Sequence, residues 1–337
     1  MPRKGQSEDS ILRKVAGASR LSRSGTARQS VSLGIGDDAA LFRPKPGYET
    51  ILTCDWFLEG THFLREKHPP DAVGWKCLAR ALSDVAAMGG TPRCFLLSLA
   101  LPETHTSRWM DLFLGGLRRA SRKFRCALAG GDTTRRDEIL INVTVVGEVR
   151  ARSAVLRSGA REGDILYVSG RLGEAELGLQ LVLRGKSFAS KKNPLLKKHL
   201  YPAPRLELGR WLAEKKIATA MIDLSDGLST DLSRLCAASE VGALLDQHHF
   251  PAVHVPRSLR RTVQEPLQLA LHGGDDYELL FTAPPGKLPD LSWSFRGLPV
   301  HPIGRITSGP NVVLYDPRKH ADIVLRPRGW DPFRKAR

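Results

Sequence analysis

Residues 71–90 read DAVGWKCLARALSDVAAMGG. Val73, Leu78, Leu82, Val85 and Ala86 recur at the spacing of one helical face. Asp71 is a candidate N-cap, and Gly89-Gly90 can end the helix. Before this segment, residues 50–56 (TILTCDW) read as a buried strand. After it, residues 93–101 read as a strand and 107–124 as a helix. Ile139, Ile141, Val143 and Val145 then alternate as a half-buried strand does. Mixed helices and strands in this order predict an α/β class fold of the α+β type.

A composition change follows. Residues 150–164 (RARSAVLRSGAREGD) are polar and basic, which places a boundary near 150. The expected domains are 1–149 and 150–337. The second half reads as strand 165–169, helix 173–184, a Lys/Pro-rich connection 185–204 and helix 205–215. Strand 219–223, helix 228–238 and a strand-rich region from YELLFT (277–282) complete it. A length of 337 residues agrees with two domains at roughly 100–200 residues each.

Apolar residues make up 42% and charged residues 26%, so whole-chain disorder is excluded. No apolar run approaches the roughly 18–20 residues of a membrane span. The N-terminus has no apolar signal region. Five cysteines without a CxxC pair argue against a zinc ribbon and a disulfide framework, and fit a reducing cytoplasm. The formal charge of +16 sits almost wholly in residues 1–30, 185–200 and 317–337. Those segments read as a solvated fringe, because aromatic residues do not interleave them apart from Phe188, Trp330 and Phe333. Nucleic-acid binding is therefore not expected.

Two motif matches fail on context. Gly34-Ile-Gly36-Asp-Asp-Ala39 fits G-x-G-x-x-A, but Pro44, Pro46 and Gly47 follow where a helix must open. Gly185-Lys186-Ser187 ends like a phosphate-binding loop, but Gln180 stands where that loop needs its first glycine.

The informative residues are aspartates beside glycines or at strand ends: Asp37, Asp38, Asp55, Asp84, Asp132, Asp223, Asp226, Asp275 and Asp276. One such residue is ordinarily a turn former. Asp55 and Asp223 end buried-type strands, where open α/β sheets place ligands. Two carboxylates ~4 Å apart repel by about 4 kcal/mol at an effective dielectric of 20. If these acids converge, cations must accompany them, and all-oxygen ligation selects Mg²⁺ or Ca²⁺. Glycine-flanked loops with Mg²⁺ suggest phosphate chemistry.

Seven segments occur in one order: GIGDDAAL (34–41), TCDWFLEGTHF (53–63), LARALSDVAAMGGTP (78–92), AGGDTT (129–134), LRSGAREGDILYVSGRLGEA (156–175), IDLSDGLSTDL (222–232) and GGDDYELLFT (273–282). With them the chain resembles the thiamine-monophosphate kinases of the aminoimidazole ribonucleotide synthetase-like superfamily. The resemblance runs from about residue 8 to residue 333. It implies a two-domain fold, with a homodimer joined through the N-terminal domains and a C-terminal α/β domain completing the site. It implies transfer of the ATP γ-phosphoryl group to thiamine monophosphate, giving thiamine diphosphate, with several Mg²⁺ ions.

Carried over residue by residue, the resemblance assigns Asp38, Thr53, Cys54, Asp55, Asp84, Asp132, Asp223 and Asp226 to metal. It assigns Gly131, Asp132, Arg157 and Ser225 to ATP, and His62, Asp275 and Trp330 to thiamine phosphate. Cys54 stands where the family usually has Thr or Ser, and Asp275 where Glu is common. Beyond these metal and ATP ligands, no separate catalytic residue is expected.

Overall fold

The computed structural model describes residues 13–17, 30–33, 35, 39–185, 194–247, 250–317 and 320–333. Much of the three basic segments, together with Asp37 and Asp38, lies outside those residues. Strands β1 (Val31–Leu33) and β2 (Leu41–Phe42) form a short antiparallel ribbon. A four-stranded sheet follows, built from β3 (Tyr48–Leu58), β4 (Thr91–Leu101), β5 (Ala127–Arg135) and β6 (Leu140–Arg150) in the order β3-β6-β4-β5. β4 and β5 run parallel; the other neighbours are antiparallel.

Helices α1 (Pro70–Ala87) and α2 (Arg108–Phe124) cover one face of this sheet. Strand β3 alternates to suit. Ile51 and Phe57 turn inward to the helices, while Leu52 and Trp56 are 70% and 55% exposed on the opposite face.

The second half forms an eight-stranded sheet from β7 (Ile165–Ser169), β8 (Ala220–Asp223), β9 (Gly242–Asp246), β10 (Leu279–Ala283), β11 (Trp293–Phe295), β12 (Leu298–Thr307), β13 (Val312–Asp316) and β14 (Ala321–Val324). Its order is β14-β13-β9-β12-β7-β10-β8, with β11 paired to β12. The helices of this half are α3 (Glu174–Leu183), α4 (Pro194–Leu200), α5 (Leu206–Glu214), α6 (Leu228–Ser239) and α7 (Pro266–His272).

Helix α1 joins the two halves. Its apolar face lies in the core of the first sheet. Its last turn, through Ala86 and Ala87, shares a second core with Tyr167, Leu208, Leu212 and Phe281. The contact with α5 is backbone to backbone: a Cβ added at Gly209 would sit 2.0 Å from the Ala86 carbonyl oxygen. α2 meets α1 in the same way. A Cβ at Gly116 would sit 1.9 Å from the Asp71 oxygen, and one at Gly74 would sit 2.0 Å from the Phe113 oxygen.

The start of α1 corrects one expectation. Pro69 is the flanking residue and Pro70 the first helical one, with no side-chain cap. Proline suits that position, since its fixed φ fits the helix and it has no N–H to satisfy. Asp71 instead accepts hydrogen bonds from Arg119 Nη2 (2.8 Å) and Tyr201 Oη (3.0 Å). Strand β5 was not read from the sequence, because its Ala-Gly-Gly-Asp-Thr-Thr run lacks apolar alternation.

The α1–α2 contact predicts a contrast between neighbouring glycines. Ala has the higher helix propensity at both Gly115 and Gly116, worth about 1 kcal/mol. Nothing lies within 4 Å of a Cβ at Gly115. Thermal melts should show Gly115→Ala neutral or stabilising. They should show Gly116→Ala with a melting temperature lowered by an overpacking cost of about 1–3 kcal/mol.

Candidate active site

A cavity of about 390 Å³ opens where the two halves meet. One stripe of α1 faces it, in four-residue steps: Lys76, Arg80 and Asp84. Residues four apart share a helix face. Lys76 is 2% exposed, while Arg80 and Asp84 line the cavity. β3 brings Asp55 from one side and the end of β8 brings Asp223 from the other.

The carboxylates are close enough to repel. Burial and then the Asp55 charge push the Asp84 pKa above the usual range, against a hydrogen bond from Thr53 and the charges of Arg157 and Arg80. Thr53 Oγ1 donates to Asp84 Oδ2 at 2.5 Å. Asp223 is raised further, by burial and then by Asp84, Asp231 and Asp55. Among the described residues, no three His, Cys, Asp or Glu side chains close around a single point as a metal cage. The donor set still fits Mg²⁺, which is held through one or two carboxylates with waters and phosphate oxygens completing its octahedron.

The loop after β8 is fixed by Asp231 in the first turn of α6. Its Oδ2 accepts the backbone N–H groups of Ser225, Asp226 and Gly227 at 3.0–3.1 Å. Arg234 Nη1 bonds both Asp226 (2.5 Å) and Asp231 (2.9 Å). This loop anchors the C-terminal segment in turn: Trp330 N donates to the Asp226 carbonyl at 2.8 Å, and Gly329 N to Thr230 Oγ1 at 3.0 Å. The Trp330 ring is thereby carried to 6.5 Å from the His62 ring, between centroids.

The segment Gly273–Glu278 divides its acids among three tasks. Asp275, at φ +66°, faces the cavity and is bonded by Lys76 Nζ (2.7 Å) and Tyr277 Oη (2.6 Å). Burial alone would raise its pKa, but the charges of Lys76 foremost, and of Arg80, hold the carboxyl well below the usual range. Asp276 turns away and accepts Gly173 N (2.6 Å) and Ala175 N (3.1 Å) at the start of α3. Glu278 is buried in a cluster with Lys198, Arg205 and Ser169. Behind Asp275, His199 Nδ1 lies 3.3 Å from Lys76 Nζ, and His199 Nε2 lies 3.0 Å from His68 Nε2. Burial keeps both imidazoles below their ordinary pKa.

His62 is also neutral. Burial, then the nearby Arg80 charge, lowers its pKa to about 4. Its Nδ1 accepts the Leu58 backbone N–H at 3.0 Å. The ring proton therefore resides on Nε2, which makes the outward nitrogen a donor.

Of the expected site residues, Asp55, Asp84, Asp223, Ser225, Asp226, His62, Asp275 and Trp330 line this one cavity. Thr53 joins it through Asp84, and Arg157 acts on the Asp84 charge. Cys54 does not point there. Its side chain is on the opposite face of β3, where Sγ contacts Asn142 Nδ2 at 3.1 Å. Gly131 and Asp132 are also elsewhere. The ladder Trp56–Asn142–Ser98–Asp132 sets Asp132 three strands from β3, on the face bearing the exposed Trp56. That separation is about 14 Å. Asp38 lies outside the described residues.

The sequence reading missed Lys76, Arg80, Asp231, His68 and His199. For Lys76 and Arg80 the signal was present: two cations four residues apart, in line with Asp84, within an otherwise apolar helix. The histidines are brought together across 131 residues, which no local pattern announces.

Comparison with known proteins shows the family. Residues 36–149 match the family model of AIR synthase related protein, N-terminal domain, and residues 161–317 that of the C-terminal domain. Thiamine-monophosphate kinase of Haemophilus influenzae is 38% identical over 281 residues, covering 82% of this chain and 84% of the relative. The Escherichia coli K12 enzyme of that name is 36% identical over 315 residues, covering 91% and 94%. A solved structure of AaThiL complexed with AMPPCP and TMP superposes with a TM-score of 0.76 at 34% identity, covering 89% of this chain and 92% of that one. The chain is thus a two-domain α/β protein of the AIR-synthase-related type, and it belongs to the thiamine-monophosphate kinase family of enzymes.

Proposed function

We propose that this protein transfers the γ-phosphoryl group of ATP directly to the phosphate of thiamine monophosphate, giving thiamine diphosphate and ADP. The observation that carries this reading is the meeting, in one cavity, of an acid cluster with His62, Asp275 and Trp330. The acid cluster suits metal-bound phosphates. The other end suits a cationic heterocycle: a carboxylate kept ionised by Lys76, and an indole face. An aromatic face beside a cation contributes about 0.5–2 kcal/mol.

Asp55, Asp84, Asp223 and Asp226 would hold Mg²⁺, together with Asp38 and Thr53; Cys54 could contribute only its backbone carbonyl. Bound there, Mg²⁺ would neutralise phosphate charge. Arg157 and Ser225 would bind ATP. The acceptor phosphate, with a second pKa near ~6, is largely dianionic at pH 7 and needs no general base. One of its oxygens attacks the γ-phosphorus. The bond from that phosphorus to the β–γ bridging oxygen breaks in line, and ADP leaves. His62 Nε2–H is a donor available to the acceptor.

We infer further that the protein works as a homodimer, with the junction between its domains at residue 150. The exposed face of the first sheet carries Leu52, Trp56 and Leu96. β3 and β5 are its opposite edges. A two-fold pairing across this face would set the β5 edge of one copy beside the β3 edge of the other. The partner's Asp132 and Gly131 would then complete each site. The cytoplasm is the compartment proposed: all five thiols are free, and among the described residues no helix is long and apolar enough to cross a membrane.

Three measurements test this. Incubated with ATP, Mg²⁺ and thiamine monophosphate, the wild type should form thiamine diphosphate and ADP in equal amounts. Asp84→Asn and Asp226→Asn should each lose at least 100-fold in kcat. A folded wild type without product rejects the reading. Second, Asp84→Asn and Asp132→Asn subunits, each inactive alone, should regain about a quarter of wild-type activity when reassociated in equal amounts. That fraction follows because half of the random dimers hold one intact site; no recovery would mean that one subunit supplies both Asp84 and Asp132 to its own site.

The third test is pH. With its pKa lowered to about 4, His62 gains charge only as pH falls through about 4. The acid limb of kcat/KM should therefore lie near ~6, the acceptor's own ionisation, and persist in His62→Gln. A limb that vanishes in His62→Gln would assign it to the histidine.

A further inference from the structure

Arg80 is not among the residues that the resemblance assigns. Six carboxylates line the cavity: Asp55, Asp84, Glu176, Asp223, Asp226 and Asp275. Among the described lining residues, Arg80 is the sole permanent cation, since the lining histidines are neutral and Lys76 is sealed behind Asp275. Its side chain is 15% exposed, and Nε donates to Asp55 Oδ2 at a long 3.3 Å. Among the described residues, neither Nη group has a hydrogen-bond partner. The guanidinium carbon lies 5.5 Å from the centroid of the Phe57 ring, which limits how the fork can turn. Phe57 is also 5.8 Å from His62, so Arg80 and His62 flank the same ring. Arg80 thus stands at the junction between the metal-binding acids and the acceptor end.

We propose that the Arg80 fork binds the phosphate of the acceptor, opposite His62 Nε2–H, and so selects phosphorylated over unphosphorylated acceptors. This inference rests on the reading of the acceptor as a phosphate ester. The physical case is charge. A dianion entering a cavity lined by acids meets repulsion unless a fixed cation receives it. A planar guanidinium whose Nη groups have no partner among the described residues matches phosphate oxygens in pairs. Its bond to Asp55 holds it in place while leaving that edge open.

The test is equilibrium binding to the full-length protein with Mg²⁺ and the non-hydrolysable analogue AMPPCP, read by calorimetry. The probes are thiamine monophosphate and thiamine, which differ only in the phosphate. Wild type should bind the monophosphate more tightly than thiamine. Arg80→Gln should weaken the monophosphate at least tenfold, and leave thiamine and AMPPCP within twofold. Arg80→Lys keeps the charge but not the fork, and should weaken the monophosphate by a smaller factor, with thiamine unchanged. Should Arg80→Gln fail to fold, Arg80→Lys decides by the same comparison. Wild-type affinity for the monophosphate in the folded variant, equal weakening of both thiamine forms, or a loss confined to AMPPCP would each overturn the assignment. Wild type binding AMPPCP but neither thiamine form would instead overturn the acceptor reading, and this inference with it.

Discussion

Mutual repulsion among Asp55, Asp84 and Asp223 is the constraint on which the rest of this structure turns. The three come from β3, α1 and β8, elements of both halves of the chain. Each is held by its own strand or helix rather than by attraction to the others. Water would weaken the repulsion, but burial removes the water, and the pKa values of Asp84 and Asp223 rise accordingly. A fold that tolerates this must hold the seam shut by other means. It does so with backbone contacts between α1 and α5, a shared apolar core at the end of α1, and fully paired charges set back from the cavity. Glu278 is one of those. Burial would raise its pKa, but Lys198 and Arg205 bring it to about 2.

The same division of labour explains the dense acidic loops. In two of these loops, an acid that faces the cavity is accompanied by one that builds the backbone. Asp231 gathers three N–H groups so that Ser225 and Asp226 keep their places. Asp276 caps α3 while its neighbour Asp275 faces the cavity. Removing a carboxylate of the second kind would leave buried N–H groups unpaired, at a cost of about 1–3 kcal/mol for each. Function and stability are therefore separable by residue along these loops, even between consecutive aspartates.

Most of the architecture was legible in the sequence because it rests on local periodicity. Helix α1 is an apolar stripe of 3.6-residue period, and β6 alternates as a strand with one covered face. β5 escaped because glycine, aspartate and threonine carry no such period. The site was legible where acids stand at or near strand ends: Asp223 closes β8, and Asp55 lies three residues before the end of β3. The start of α1 was misread because Pro69-Pro70 enters the helix without a side-chain cap, which leaves Asp71 inside the first turn. Lys76 and Arg80 were not singled out. Their meaning depends on Asp275 and Asp55, which are brought to them from 199 and 25 residues away. Nothing local to Asp132 says that β5 lies at the far edge of the sheet, since strand order is a property of the assembled fold.

The acids of the seam oppose folding, and bound cations would relieve that opposition. Thermal melts of wild type and Asp223→Asn, each with and without Mg²⁺, test it most directly. Mg²⁺ should raise the wild-type melting temperature, Asp223→Asn without Mg²⁺ should melt above the metal-free wild type, and Mg²⁺ should then add less to the variant. An Asp223→Asn protein that melts lower, with a wild type indifferent to Mg²⁺, would contradict it: the seam carboxylates would then be structural partners rather than a repelling set awaiting metal.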